Sequence, residues 1–222
     1  MSLRIEGLTV ARGGRAVVEE VTFDVPSSGI VAIVGPNGAG KTTLLEAIVG
    51  LLPSRGRVHH DGAELRSFRE RAAVFSFMPD EARLPEEVRV ATLLRDAGGF
   101  GVAGLRARRG SELSRGEAKR VWLALTAALR RPVAVLDEPF GAFDPLQLED
   151  LLPAFRASVT GAIVTVHQLA TAEAIADQIV ILAGGRVVAS GTMAELRTRA
   201  GLLDGSLDQV FRTLLGKRSD AA

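Results

Sequence analysis

The stretch IVGPNGAGKTTLLEAIVGLL, residues 33–52, leaves this chain few ways to fold. An apolar run, Ile30 to Val34, stops at a loop with glycines at 35, 38 and 40. A lysine and two threonines follow, and then a helical pattern closed by Pro53. Leu44, Leu45, Ile48, Val49 and Leu52 share the apolar side of that helix. A short run that is apolar at every position reads as a strand covered on both faces. Gly35-Pro36-Asn37-Gly38-Ala39-Gly40-Lys41-Thr42 fits the pattern G-x-x-x-x-G-K-[ST], and Thr43 follows it. Glycines let successive backbone N–H groups turn toward one anion, and the helix adds its positive N-terminal end. Lys41 supplies a charge to the β- and γ-phosphates, and Thr42 offers a hydroxyl to Mg²⁺. The segment therefore predicts a strand, a phosphate cradle and a helix that together hold a nucleoside triphosphate.

Strands and helices alternate through the rest of the chain. LRIEGLTVA, VTFDV, GIVAIVG, RVHHDG and AAVFSFM read as strands. SRGEAKRVWLALTAAL reads as a helix, with Trp122 on its apolar side. VAVLD, PLQLEDLLPAF, AIVTVH and LATAEAIA then alternate strand and helix. The hairpin QIVILAGGRVVASG and the helices TMAELRTRA and SLDQVFRTLL end the pattern before a polar tail. This order predicts an α/β core with a mostly parallel sheet and a small antiparallel β layer at one side. Residues 81–112 are weakly patterned. Their basic run, Arg106 to Arg109, reads as a solvated loop, with part of a docking surface as the alternative. His59 and His60 read as turn residues.

Two further segments carry chemistry. In VAVLDEPF, four apolar residues end in Asp137, which can reach Mg²⁺, and Glu138, which is free to polarise a water. In LSRGEAKR, Ser114 and Glu117 form a capping box. The helix start presents Ser114 and the backbone of Gly116 as a second anion site, one suited to a second copy's nucleotide.

In this order, GPNGAGKTT, LSRGE, VLDEP, GAFD and the histidine after IVTV, His167, resemble the motifs of the ATP-binding cassette (ABC) transporter nucleotide-binding subunit. The resemblance covers residues 3 to about 199 and implies a P-loop NTPase core. It divides the single 1–222 domain into a nucleotide-binding core with its β layer (1–80 and 131–199), a reduced helical subdomain (81–130), and a C-terminal helix and tail (200–222). It implies a head-to-tail dimer of two copies, or of this chain and a paralogous cassette, with two ATP molecules at the interface. Each ATP would meet the loop Gly35–Thr43 of one subunit and Ser114 and Gly116 of the other. Glu138 would be the general base, His167 would bond the γ-phosphate, and Asp144 would cross the interface.

Three features depart from the family pattern. Arg12 stands where an aromatic residue usually stacks on adenine, and a guanidinium plane can stack there too. Asp80 stands where a glutamine usually contacts Mg²⁺, and a carboxylate can also bind that ion. Few residues lie between Asp80 and Leu113, so the helical subdomain is expected to be shortened.

Bulk composition adds limits. A net charge of +1 gives no electrostatic case for nucleic acid. The chain has no cysteine, which excludes disulfide and thiol chemistry. No run of apolar residues is long enough to span a bilayer, and MSLRIEGLTV lacks the pattern of a signal peptide. The expectation is a peripheral protein on the inner face of the cytoplasmic membrane. There it would use ATP and Mg²⁺ to power a separate transmembrane subunit, with export suggested by the resemblance of SLDQVFRTLLG to exporter-type subunits. The rivals are a weakly hydrolysing nucleotide sensor and an ABC-type ATPase acting on nucleic acid or ribosomes.

Overall fold

The computed structural model describes residues 2–26, 28–81 and 83–219. The polar tail expected at the C-terminus falls partly on residues 220–222, outside the described residues. The strands are β1 (Leu3–Arg12), β2 (Arg15–Val25), β3 (Gly29–Val34), β4 (Arg55–His60), β5 (Ala63–Glu64), β6 (Phe75–Met78), β7 (Val133–Leu136), β8 (Gly161–Thr165), β9 (Gln178–Ala183) and β10 (Arg186–Gly191). The helices are α1 (Lys41–Val49), α2 (Phe68–Val74), α3 (Val90–Leu94), α4 (Arg115–Ala128), α5 (Pro145–Ser158), α6 (Leu169–Ile175), α7 (Met193–Ala200) and α8 (Leu207–Ser219).

Among the described residues these strands form two sheets. The larger runs β10-β9-β3-β8-β7-β6, parallel throughout except for the β9–β10 hairpin. The smaller, β2-β1-β4-β5, is antiparallel. Alternation along β3 explains why its run is apolar at every position. Val31 and Ile33 enter a core shared with the antiparallel sheet and with Leu44, Leu45 and Ile48 of α1. Ile30, Ala32 and Val34 enter the opposite core, with residues of α4 to α8. The central sheet is thus covered on both faces, as parallel sheets require. No helix among the described residues is long and apolar enough to cross a membrane.

Helix α1 is anchored at its far end. Gly50 adopts a left-handed conformation (φ 85°) and caps it, and Arg71 of α2 donates to the carbonyls of Ala47 and Ile48. Satisfying those last carbonyls fixes the direction of α1 and leaves its first turn facing the cleft.

The structure corrects the expected strand AAVFSFM. Ala72 to Val74 finish α2, and only Phe75 to Met78 form β6. Helix α2 begins at a capping box in which Ser67 accepts from the Glu70 N–H and Glu70 accepts in return. His59 and His60 are not turn residues. They end β4, paired with Glu64 and Ala63.

Among the described residues of 81–112 there is one short helix, α3, with 3-10 turns at Ala103–Leu105 and Gly110–Glu112. Their apolar residues Val90, Leu94, Phe100, Val102 and Leu105 join the same core as α4. The basic run lies at the surface, with Ala107 and Arg109 exposed, and its arginines are engaged within the chain. Arg106 donates to the carbonyls of Ala97 and Arg95, Arg108 pairs with Glu117, and Arg109 pairs with Glu87. A glycine-rich loop has few ladder bonds to occupy its carbonyls, so these arginines stitch it together.

Candidate functional site

The carboxyl ends of β3, β6, β7 and β8 converge, as ligand sites do in open α/β sheets. Between them lies a cleft of about 340 Å³, lined by Val17, Asn37 to Thr43, Asp80, Asp137, Glu138 and His167.

Gly35 to Gly40 wrap the cleft tightly. A Cβ on Gly35 would stand 2.1 Å from the Leu182 carbonyl oxygen, so β9 admits only glycine there. Gly40 has φ 99° and lies against the Val17 carbonyl, 2.8 Å from where its Cβ would be. No side chain caps α1 at Gly40, and its first turn holds no acidic residue. The first-turn N–H groups are thereby left to an anion. Lys41 Nζ donates to the carbonyls of Gly35 (2.8 Å) and Pro36 (3.3 Å), which fold it over the loop. Burial holds its pKa below the usual lysine value, against the opposing pull of Glu138 and Asp137.

At the end of β7, Asp137 and Glu138 are both buried. The Thr165 hydroxyl donates to Asp137 Oδ1 and accepts from the Glu138 N–H (2.8 Å). Glu138 Oε2 accepts from the His167 N–H (3.2 Å), and His167 Nε2 lies 3.4 Å from Glu138 Oε1. Burial raises the Glu138 pKa, opposed mainly by His167. Among the described residues Asp137 Oδ2 and Glu138 Oε1 are buried oxygens without a hydrogen-bond partner, and both residues line the cleft.

Those two orphaned oxygens test the fit of a metal-bound triphosphate. The Thr42 hydroxyl and the Asp137 carboxylate are hard oxygen donors of the kind Mg²⁺ takes, with phosphates and water completing its shell. The residues present fit both groups.

Other expected site residues lie elsewhere. Arg12 is outside the cleft lining, because its guanidinium pairs with Glu46 at 3.0 Å; Val17 is the β2 residue that lines the cleft. Ser114 caps α4 beside a neighbouring pocket, away from the loop. Asp144 caps α5, accepting from the Gln147 N–H at 2.9 Å. Asp80 does line the cleft, but its Oδ1 is held by Lys119 (3.0 Å) with Arg115 at 3.6 Å, so its charge is countered within the chain.

Thr165 and Lys119 are the residues that sequence reasoning missed. A lone hydroxyl inside the apolar strand AIVTV was a readable signal for Thr165. A lysine on a helix reads by default as solvated, so nothing marked Lys119. Thr165→Val keeps the shape but orphans the buried Glu138 N–H and Asp137 Oδ1. At about 1–3 kcal/mol per orphaned group, the melting temperature should fall by several degrees. Thr165→Ser should recover most of the loss in a thermal melt.

Comparison with known proteins accords with this geometry. The family model described as ABC transporter matches residues 18–141. The hemin import ATP-binding protein HmuV of Streptomyces coelicolor is 35% identical, over 97% of this chain and 86% of its own length. The Fe(3+) ions import ATP-binding protein FbpC of the same organism is 34% identical over 89% of this chain. The chain spans 64% of that relative's length. A solved structure of the ATP binding subunit of an ABC transporter superposes with TM-score 0.86 at 30% identity, over 97% of this chain and all of the other.

Proposed function

The chain belongs to the ABC transporter family as an ATP-binding subunit, and on that premise we propose that it hydrolyses ATP to drive a separate transmembrane partner. One observation carries the hydrolytic part. A buried carboxylate with a raised pKa, Glu138, stands beside His167 at the mouth of a phosphate cradle closed by Lys41.

In this reading the loop N–H groups and Lys41 bind the β- and γ-phosphates. Thr42 and Asp137 hold Mg²⁺, which when bound neutralises developing phosphate charge. Glu138 takes a proton from the attacking water. His167 steadies the carboxylate through its N–H and orients the γ-phosphate. Ser114 and Gly116, which lie outside this cleft, complete in this reading the site of a second copy or of a paralogous cassette, with Asp144, the cap of α5, at the interface. Both of these relatives are named as import proteins. The lipopolysaccharide export system ATP-binding protein LptB of Escherichia coli is 30% identical over 88% of this chain, so relatives stand on both sides of the export reading taken from α8, and the cargo is chosen by the membrane partner.

The dimer reading is tested by size-exclusion chromatography with light scattering on Glu138→Gln protein. The mass should double with ATP and Mg²⁺ and stay monomeric with ADP, and adding Ser114→Arg should abolish the shift. A mass that ignores nucleotide would sink the shared-site reading.

A further inference from the structure

Lys119 is 3% exposed, on a helix that also buries Val121, Leu123 and Ala124. A buried ammonium is unfavourable unless it is paired with a charge and hydrogen-bonded. Lys119 finds two partners, and neither belongs to its own helix. Its Nζ donates to Asp80 Oδ1 at 3.0 Å and to the main-chain carbonyl of Glu138. Among the described residues that carbonyl otherwise accepts only a long bond from the Gly141 N–H, at 3.4 Å. Glu138 itself sits at φ 47°, in the left-handed region that side-chain-bearing residues avoid. A residue in that conformation persists only where its surroundings impose it.

We propose that Lys119 is a positioning residue: held by Asp80, its ammonium clamps the Glu138 carbonyl and sets the turn that aims the carboxylate into the cleft. The clamp ties three segments together. They are the loop after β6 through Asp80, helix α4 through Lys119, and the turn after β7 through Glu138. Helix α4 also carries Ser114 at its cap, so a shift of that helix is passed to Glu138 through one side chain. Asp80 thereby gains a role that needs no metal. It neutralises Lys119 and fixes where the ammonium points.

The catalytic part of this inference rests on the hydrolytic reading above, and the test separates the two. Lys119→Met, Lys119→Gln, Asp80→Asn and the double variant Asp80→Asn/Lys119→Met are compared with the parent chain. Steady-state turnover, fluorescent-nucleotide affinity, melting temperature and amide hydrogen exchange of the nucleotide-free chain are measured for each. Lys119→Met should lower kcat by tenfold or more, with KM and nucleotide affinity within threefold. It should also speed exchange across residues 138–141. Lys119→Gln, which keeps a donor for the carbonyl, should recover part of kcat. The double variant should be no worse than Lys119→Met alone, because the two residues act as one unit. If Lys119→Met does not fold, Asp80→Asn carries the same kcat-without-affinity prediction.

Unchanged kcat with unchanged exchange overturns the proposal. So does a loss of kcat matched by equal losses of affinity and melting temperature, which marks a merely structural residue. A parent chain with no turnover that Glu138→Gln lowers would overturn the hydrolytic reading instead. Exchange at residues 138–141 would then decide the clamp alone.

Discussion

Glu138→Gln will lower ATP turnover by about 10²–10⁴-fold, the usual contribution of a positioned general base, while nucleotide affinity stays within about threefold. The amide keeps the shape and an acceptor for the His167 N–H but cannot take a proton from water. The same substitution should make the nucleotide-free chain more stable. Burial lifts the folded pKa of Glu138 above its ordinary value, so ionisation opposes folding. That opposition is absent below the ordinary glutamate range, about 4.3, and grows as pH rises through the lifted value. The melting temperature of Glu138→Gln should therefore exceed the parent's at pH 7, and the gap should close as pH falls toward 4. Turnover of the parent should fall over the same window as Glu138 takes up its proton. A variant that melts below the parent at pH 7, or that keeps full turnover, would contradict both the electrostatics and the role.

Lys41→Met should weaken ATP binding by at least about tenfold and toward a hundredfold. A hydrogen bond to a charged group contributes about 1.5–3 kcal/mol, and each 1.4 kcal/mol is a factor of ten. Turnover should fall further, by about 10²–10³-fold, because charge builds on the phosphoryl oxygens in the transition state. The fold should not suffer. A lysine whose folded pKa is lowered by burial opposes folding at every pH below that value. The opposition fades only as pH rises toward the ordinary lysine range. At pH 7 a methionine of similar length removes it, so the melting temperature should stay within about 3 °C of the parent or rise. Calorimetric titration with ATP and a thermal melt of the same sample check both halves. Lost binding in a chain that has also lost its fold would leave Lys41 with no special claim on the nucleotide.

The outline of this protein was written in runs of neighbouring residues. The strand, loop and helix around Gly35 to Thr43 are consecutive, so their chemistry is local and readable. The same holds for the apolar run ending in Asp137 and Glu138, and for the strand that delivers His167. The mostly parallel sheet followed from strands apolar at every position alternating with helices, whereas the order of its strands came from the structure. A local signal was also missed. Ser67 and Glu70 announce the start of α2, yet the apolar Ala72 to Met78 reads as one strand because short apolar runs suit either state.

Only the tertiary structure could decide where charge finds its partner. Arg12 turns to Glu46 rather than to the cleft. Arg106 to Arg109 spend their donors on their own loop and its neighbours. Lys119 meets Asp80 from 39 positions away and is buried where a helix lysine is ordinarily wet. Backbone preference and hydrophobic period act over a few residues, so one sequence displays them. The pairing of a buried charge depends on which distant segments the fold brings within 3 or 4 Å, and no local pattern encodes that distance.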